Sequence, residues 1–231
     1  MYKGKQIVGI IPARGGSKGL RRKNLLPLLD KPLIAWTIEE GKRSKYIDRL
    51  ILSSEDPEII SVAKVWGCEV PFIRPKELSR DDTPGIEPLL HALNTIPEKY
   101  EYAVLLQPTS PLRRASDIDL CIEACLRENA KTCVSVVEAS ESPYWMYSLS
   151  PNNRLTPLIS MENIPDCRQA LPKAYALNGA VYVAETQWLL ANRSLITPET
   201  HAYLMPKERS IDIDEEVDFR LAESILKNQN R

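Results

Sequence analysis

The sequence predicts an α/β fold, three layers built on a mainly parallel sheet, and two observations carry that prediction. Short runs rich in Val and Ile alternate with longer stretches of helical period, which is the pattern of strands joined by crossover helices. The helical stretches also carry start and stop residues at their ends. Taken in order, "QIVGII" at 6–11 is the first strand, and "PLIAWTIEEGKRS" at 32–44 is a helix with Pro32 near its start and cations in its last turn. "RLILSS" at 49–54 is a strand, and "DPEIISVAKVWG" is a helix with Asp56 as N-cap, Pro57 in the first turn and Gly67 as C-cap. "CEVPFI" at 68–73 and "YAVLLQ" at 102–107 are strands, with the helix "GIEPLLHALNTI" between them. "ASDIDLCIEACLREN" is a helix capped by Ser116, with Cys121 and Cys125 on its core face beside Ile118 and Ile122, and the strand "TCVSVV" at 132–137 follows it.

The alternation stops over 141–178, where Pro, Asn and aromatic residues replace long amphipathic segments. A structureless stretch of that length is unusual in a compact domain, so it reads as an inserted arm. Its Tyr144, Trp145 and Tyr147 suit a surface for a second copy of the chain, or equally a cap on the main core. The parent pattern then returns as the strand "GAVYVAE" at 179–185, the helix "TQWLLAN" and the strand "AYLMP" at 202–206. A final amphipathic helix, "DEEVDFRLAESILKNQN", is expected to turn Val217, Leu221 and Ile225 to the core.

Composition narrows the function classes. The 231 residues, 43% hydrophobic, suffice for one main domain spanning 1–231. Lys and Arg total 30 against 31 Asp and Glu, so no global basic field points to nucleic acid. The first apolar run is broken by Pro12 and Arg14, too early for a signal segment or a bilayer span. A cytoplasmic protein with neither a nucleic-acid nor a membrane partner is expected. Five cysteines without a CxxC pair, and only His91 and His201, suggest neither a disulfide framework nor a zinc site.

The opening stretch "IIPARGGSKGLRRKN", 10–24, sets three glycines and five cations directly after a strand, with no carboxylate among them. Such a loop lies at the carboxyl edge of a parallel sheet, where open α/β folds bind ligands. Glycines let the backbone approach oxygen closely, and Arg14, Lys18 and Lys23 can neutralise charge on a phosphoryl group. Polyphosphate is the expected tenant, although a plain basic surface loop has the same composition. The spacing matches neither a Walker loop nor a GxGxxG fingerprint.

The wording of "IPARGGSKGLRRKN" resembles the signature of the CMP-sialic acid synthetase family, the acylneuraminate cytidylyltransferases. "RPKEL" at 74–78, "LQPTSPLR" at 106–113, "RQALPKAYALNGAVYV" at 168–183 and "SIDIDEEVDF" at 210–219 resemble the same family in the same order, so the likeness covers essentially the whole chain. It implies a Rossmann-like nucleotidyltransferase domain with a dimerisation arm at 141–178. It also implies transfer of CMP from CTP to the anomeric hydroxyl of a nine-carbon 2-keto sugar acid, with Mg²⁺ and release of pyrophosphate.

Carried over residue by residue, the resemblance places Ala13, Arg14, Gly15, Gly16, Ser17, Lys23, Asn24 and Arg74 on the nucleotide, with Thr83 near the ribose and base. It places Gln107, Thr109 and Ser110 at the sugar acid, though Thr109 and Ser110 also suit a simple turn between Pro108 and Pro111. Asn178 and Tyr182 match residues lining the sugar pocket, while Tyr182 also reads as an ordinary strand aromatic. Arg168 matches an arm arginine that completes the site of the partner in a homodimer, and with Arg14 and Lys23 it makes up the expected catalytic set. Asp212 and Asp214, two apart on an extended segment, project to one face as a site for Mg²⁺, and acids there would also cap the last helix. In "NRSLITPE", Leu195 and Ile196 stand where sialic-acid-specific relatives often carry aromatics, which admits legionaminic and pseudaminic acids with their more apolar tails. The alternatives are a nucleotidyltransferase for Kdo or a sugar 1-phosphate, or a catalytically silent nucleotide-binding protein.

Overall fold

A computed structural model of the chain describes residues 1–17, 19–159, 165 and 167–229, with the backbone alone at 168 and 229. The chain runs β1 (Ile7–Pro12), a small hairpin of β2 (Pro27–Leu28) and β3 (Lys31–Pro32), α1 (Leu33–Arg43), β4 (Arg49–Ser53), α2 (Pro57–Val65), α3 (Glu87–Thr95), β5 (Tyr102–Leu105), α4 (Ala115–Arg127) and β6 (Thr132–Glu138). It continues through the arm hairpin β7 (Tyr147–Leu149) and β8 (Leu155–Pro157), then β9 (Tyr175–Glu185), α5 (Thr186–Asn192), β10 (His201–Leu204) and α6 (Glu216–Gln229).

The main sheet has the order β10-β6-β9-β5-β1-β4. β4 and β5 pair parallel to β1, and β10 pairs parallel to β6. β9 is antiparallel to both its neighbours, so it is the one reversed strand. The pleat of β1 explains the layers: Ile7 and Ile11 pack with Ile34, Ile59 and Ile122 of α1, α2 and α4, while Val8 and Ile10 pack with Leu89, Leu93 and Leu189 of α3 and α5. The predicted core face of α4 holds, with Ile118, Cys121, Ile122 and Cys125 all fully buried.

Several expectations need correction. "CEVPFI" is not a strand: Glu69 makes a lone bridge to Ile51, and Pro71, which has no N–H, ends the ladder there. Asp56 caps α2 as expected, accepting from the N–H groups of Glu58 and Ile59, but Trp66 takes the C-cap place and Gly67 follows it. At α4 the N-cap place falls to Arg114, whose N–H donates to Asp117 Oδ2 at 3.0 Å, so Ser116, two residues on, lies inside the helix. On α6, Val217 and Leu221 are exposed, while Ala222 and Leu226 are buried with Phe219 and Ile225 beside them. The stripe 219, 222, 225 and 226 therefore faces the core, one step round from the stripe expected. Residues 175–177, read as part of the end of the arm, already pair with β6 as strand.

Among its described residues the arm has no core of its own. β7 and β8 pair antiparallel and every residue in them is exposed. Tyr144 and Trp145 are half-buried at its base and Tyr147 is exposed. Among the described residues no helix is long and apolar enough to cross a membrane.

Candidate active site

A cleft of about 440 Å³ opens at the carboxyl ends of β1 and β5, where a parallel sheet is expected to bind its ligand. Arg14, Ser17, Asn24, Arg74 and Thr83 line it on the side of the loop after β1, Gln107, Thr109, Asp212 and Asp214 on the side of the loop after β5, and Lys23 links the two through Asp214. Residues widely separated in the chain thus share one concave surface.

The first side is held together by a carboxylate that sequence reasoning missed. Glu55, just past β4, accepts the Gly15 N–H at 2.8 Å through one oxygen. Its other oxygen accepts Arg74 Nη2 and Ser79 Oγ, both at 2.8 Å, while Arg74 Nε donates to Ser79 at 2.9 Å. Burial works against the Glu55 charge, yet these donors hold its carboxyl below the ordinary range. Arg74, only 3% exposed, also reaches the Ala13 carbonyl, so the backbone is braced at Ala13 and Gly15, on both sides of the cleft-lining Arg14. Gly15 is needed for close approach, since a Cβ there would fall 2.3 Å from Asp56 Oδ2. Nothing lies within 4 Å of a Cβ at Gly16. Arg14 pairs with Asp81 at 2.8 Å across the mouth. Asn24 donates to the Arg14 carbonyl, and its buried Oδ1 has no partner among the described residues. Arg22 is spent on the start of α2, where it pairs with Asp56 and Glu58. Lys18 lies outside the described residues.

The second side is organised by backbone. Ile213 N donates to the Thr109 carbonyl at 2.8 Å, which joins the segment carrying Asp212 to the loop carrying Gln107. Lys23 Nζ donates to the Ile213 carbonyl at 2.5 Å and to Asp214 Oδ1 at 2.9 Å. The buried Arg113, also missed, donates from Nη1 to the carbonyls of Gln107 at 3.1 Å and Ala180 at 2.9 Å. Burial pulls its guanidinium down to about 10, against the charges of Glu40 and Asp117.

Not every expected residue reaches the cleft. Ser110 is fully buried within the turn that closes on Gln107, so the turn reading of this serine prevails. Asn178 is 4% exposed with its amide saturated: Oδ1 accepts from Ser135 Oγ and Ala180 N, and Nδ2 donates to Ser210 Oγ and Met205 Sδ. It stands behind the site and not in it. Tyr182 is half-buried against the core cluster of α3 and α5, where burial and the Asp212 charge push its phenol up. Leu195 packs on that same cluster and Ile196 is exposed, so neither forms an apolar wall of the cleft. The backbone of Arg168 sits in a short 3-10 turn, Arg168–Ala170, and its side chain lies outside the described residues.

Asp212 and Asp214 fit a divalent cation. Among the described residues Asp212 Oδ1 is buried without a partner, an acceptor that calls for a cation or a donor. Burial, the largest influence, pushes its carboxyl up, Thr109 pulls it down and Asp214 pushes it up again. Among the described residues no group of three or more His, Cys, Asp or Glu could hold a metal alone. Two carboxylates with phosphate and water completing the shell is the usual provision for Mg²⁺.

Comparison with known proteins agrees with this architecture. The family model described as Cytidylyltransferase matches residues 8–209. The chain is 34% identical over 226 residues to the N-acylneuraminate cytidylyltransferase of Escherichia coli O18:K1:H7, covering 98% of this chain and 53% of that protein. It is 32% identical to the CMP-N,N'-diacetyllegionaminic acid synthase of Legionella pneumophila, covering 96% of each, and 31% identical to the pseudaminic acid cytidylyltransferase of Campylobacter jejuni, covering 94% and 95%. The chain therefore spans about half the length of the first relative and nearly all of the other two. In fold it matches a CMP:2-keto-3-deoxy-manno-octonic acid synthetase solved in complex with CTP, with a TM-score of 0.72, 15% identity and coverage of 97% and 99%.

Proposed function

This chain belongs to the cytidylyltransferase family, and from that premise we propose that it transfers CMP from CTP to the anomeric hydroxyl of a nine-carbon 2-keto sugar acid of the sialic, legionaminic or pseudaminic type. The observation that carries the reading is the single cleft lined by Arg14, Lys23, Gln107, Asp212 and Asp214. The names of the three relatives supply the substrate class. The sugar oxygen bonds to the α-phosphorus, the bond to the bridging oxygen breaks, and pyrophosphate leaves with the electron pair. The hydroxyl proton passes to solvent or to the substrate's own carboxylate, since no histidine lines the cleft among the described residues.

Each side chain has a definite part. Arg14 and Lys23 neutralise the triphosphate once it displaces them from Asp81 and Asp214. Asn24 Oδ1 accepts from the nucleotide, and Gln107 with Thr109 orients the polyhydroxylated acid without adding charge beside the phosphates. Mg²⁺, held by Asp212 and Asp214, would supply charge neutralisation at the phosphates.

The protein acts as a homodimer in this reading, with Arg168 completing the partner's site. In support, the arm and the start of β9 expose Met146, Tyr147, Leu149, Leu155, Leu158 and Tyr175 together, more apolar surface than an isolated hairpin keeps in water. The test is pyrophosphate release from CTP and Mg²⁺ with sialic, legionaminic, pseudaminic and Kdo acids in parallel, alongside the mass in solution. Preference for one nine-carbon acid is expected, and silence with all four sinks the reading.

A further inference from the structure

We propose that the bulge in β9 at residues 178–181 is a positioning device that fixes the separation of Gln107 and Asp212, and that Gly179 sets this separation by having no side chain. The inference rests on the proposed function only for what those two residues do. Its geometry is independent of any ligand.

The pairing of β6 with β9 slips between Val134 and Val136. Bulges of this kind re-aim a strand beside functional sites. Here the intervening Ser135 stitches the slip closed: its hydroxyl donates to Asn178 Oδ1 at 2.6 Å and accepts the Val181 N–H at 2.8 Å. From the bulge two ties run out. Ala180 O accepts the buried Arg113, whose same Nη1 reaches the Gln107 carbonyl. Asn178 Nδ2 donates to Ser210 Oγ at 3.0 Å, two residues before Asp212. The loop carrying Gln107 and the segment carrying Asp212, neighbours on one side of the cleft, are thus both anchored to the bulge, at Ala180 and Asn178.

Gly179 lies where the two converge. Its φ is +72°, and a Cβ there would sit 2.9 Å from Gln107 Oε1 and 3.3 Å from Asp212 Oδ2. Those oxygens belong to two residues that the proposed function uses, both on the same side of the cleft. A methyl group would have to push the Gln107 amide, the Asp212 carboxylate or both outward. Gly179 touches no substrate in this scheme and acts through its neighbours.

Backbone strain alone is separable from this effect, because Gly4 has a φ of +75° and nothing within 4 Å of its Cβ position. Gly179→Ala and Gly4→Ala therefore share the conformational cost, and only the first displaces the two oxygens. In calorimetric titration of the full chain with CTP, Gly179→Ala is expected to lose about tenfold of the affinity gained on adding Mg²⁺, the usual scale when the supports of metal ligands are disturbed. Its affinity for CTP without Mg²⁺, and both affinities of Gly4→Ala, should match the parent. Ser210→Ala, which cuts the tie to Asn178 and the bond that Ser210 Oγ donates to the Pro206 carbonyl, should lose about fivefold of the same Mg²⁺-dependent gain, and it serves if Gly179→Ala does not fold. Crystal structures of the two variants keep this test apart from that of the enzyme's activity. A displaced Gln107 amide or Asp212 carboxylate is expected, and unmoved oxygens, or a Mg²⁺-dependent gain equal to the parent's, overturn the proposal.

Discussion

The two sides of the cleft are held in shape by different physics. On the Arg14 side, a charge is the brace: one carboxylate, Glu55, gathers a glycine-loop N–H, a buried guanidinium and a serine hydroxyl. On the Gln107 side, the brace is backbone, in carbonyls and N–H groups locked by a neighbouring bulge, and of the two carboxylates there Asp212 has an oxygen with no partner among the described residues. A satisfied buried charge stabilises the frame around it, whereas an unsatisfied one costs free energy until a ligand arrives. The fold thus keeps its supporting charge and its working charge on opposite walls.

The largest effect that can break this comparison is at Asp212. Asp212→Asn should lower turnover by about 10³ if the carboxylate serves a metal at the reacting phosphate. The same change should raise the melting temperature of metal-free protein, because an amide with an unpartnered oxygen costs less to bury than a carboxylate. Calorimetry in chelator together with initial rates in Mg²⁺ checks both signs. A variant that loses both activity and stability would mean that Asp212 braces its wall as Glu55 does.

Glu55 should answer in the opposite sense. Glu55→Gln leaves the buried Arg74 guanidinium without its counter-charge, a loss of about 3 kcal/mol on the scale of broken buried pairs. The pH dependence follows from the direction of the shift. The unfolded chain takes up the proton near the ordinary value of 4.5, the folded one only at lower pH. This contribution is therefore complete above the ordinary value and drains as pH falls through the folded one. Thermal melts between neutral and acid pH should show a shallower acid limb for Glu55→Gln than for the parent.

What the sequence could say about these walls depended on how local each device is. Strand and helix alternation, the Asp56 cap and the Cys121–Cys125 face are written within one turn or one strand, and all of them were legible. So was the cleft itself, since Arg14, Lys23 and Asn24 follow β1 in one unbroken loop. The braces were not legible. Glu55 meets Gly15 across 40 residues and Arg113 meets Ala180 across 67, and neither a lone Glu before a helix nor an Arg after a loop carries a signal of burial. Asn178 was placed in the sugar pocket by wording alone, and its four hydrogen bonds put it to structural use instead. "CEVPFI" failed for a local reason, because Pro71 outweighs the β-branched composition around it.

The smallest effect sharpens the comparison most, because it asks whether the charge or the network around it does the bracing. Ser79 Oγ donates to Glu55 Oε2 and accepts from Arg74 Nε, so Ser79→Ala removes one neutral link and leaves the ion pair intact. If charge dominates, stability should fall by only about 1 kcal/mol, the net worth of one such hydrogen bond. Combined with Glu55→Gln, the losses should then fall short of additive, since the serine's main acceptor is already weakened. A double-mutant cycle on melting free energies measures that coupling directly. Coupling near zero would mean that Ser79 braces the wall through the Arg74 contact alone. A Ser79→Ala loss as large as that of Glu55→Gln would mean that this wall, like the other, is held by geometry more than by charge.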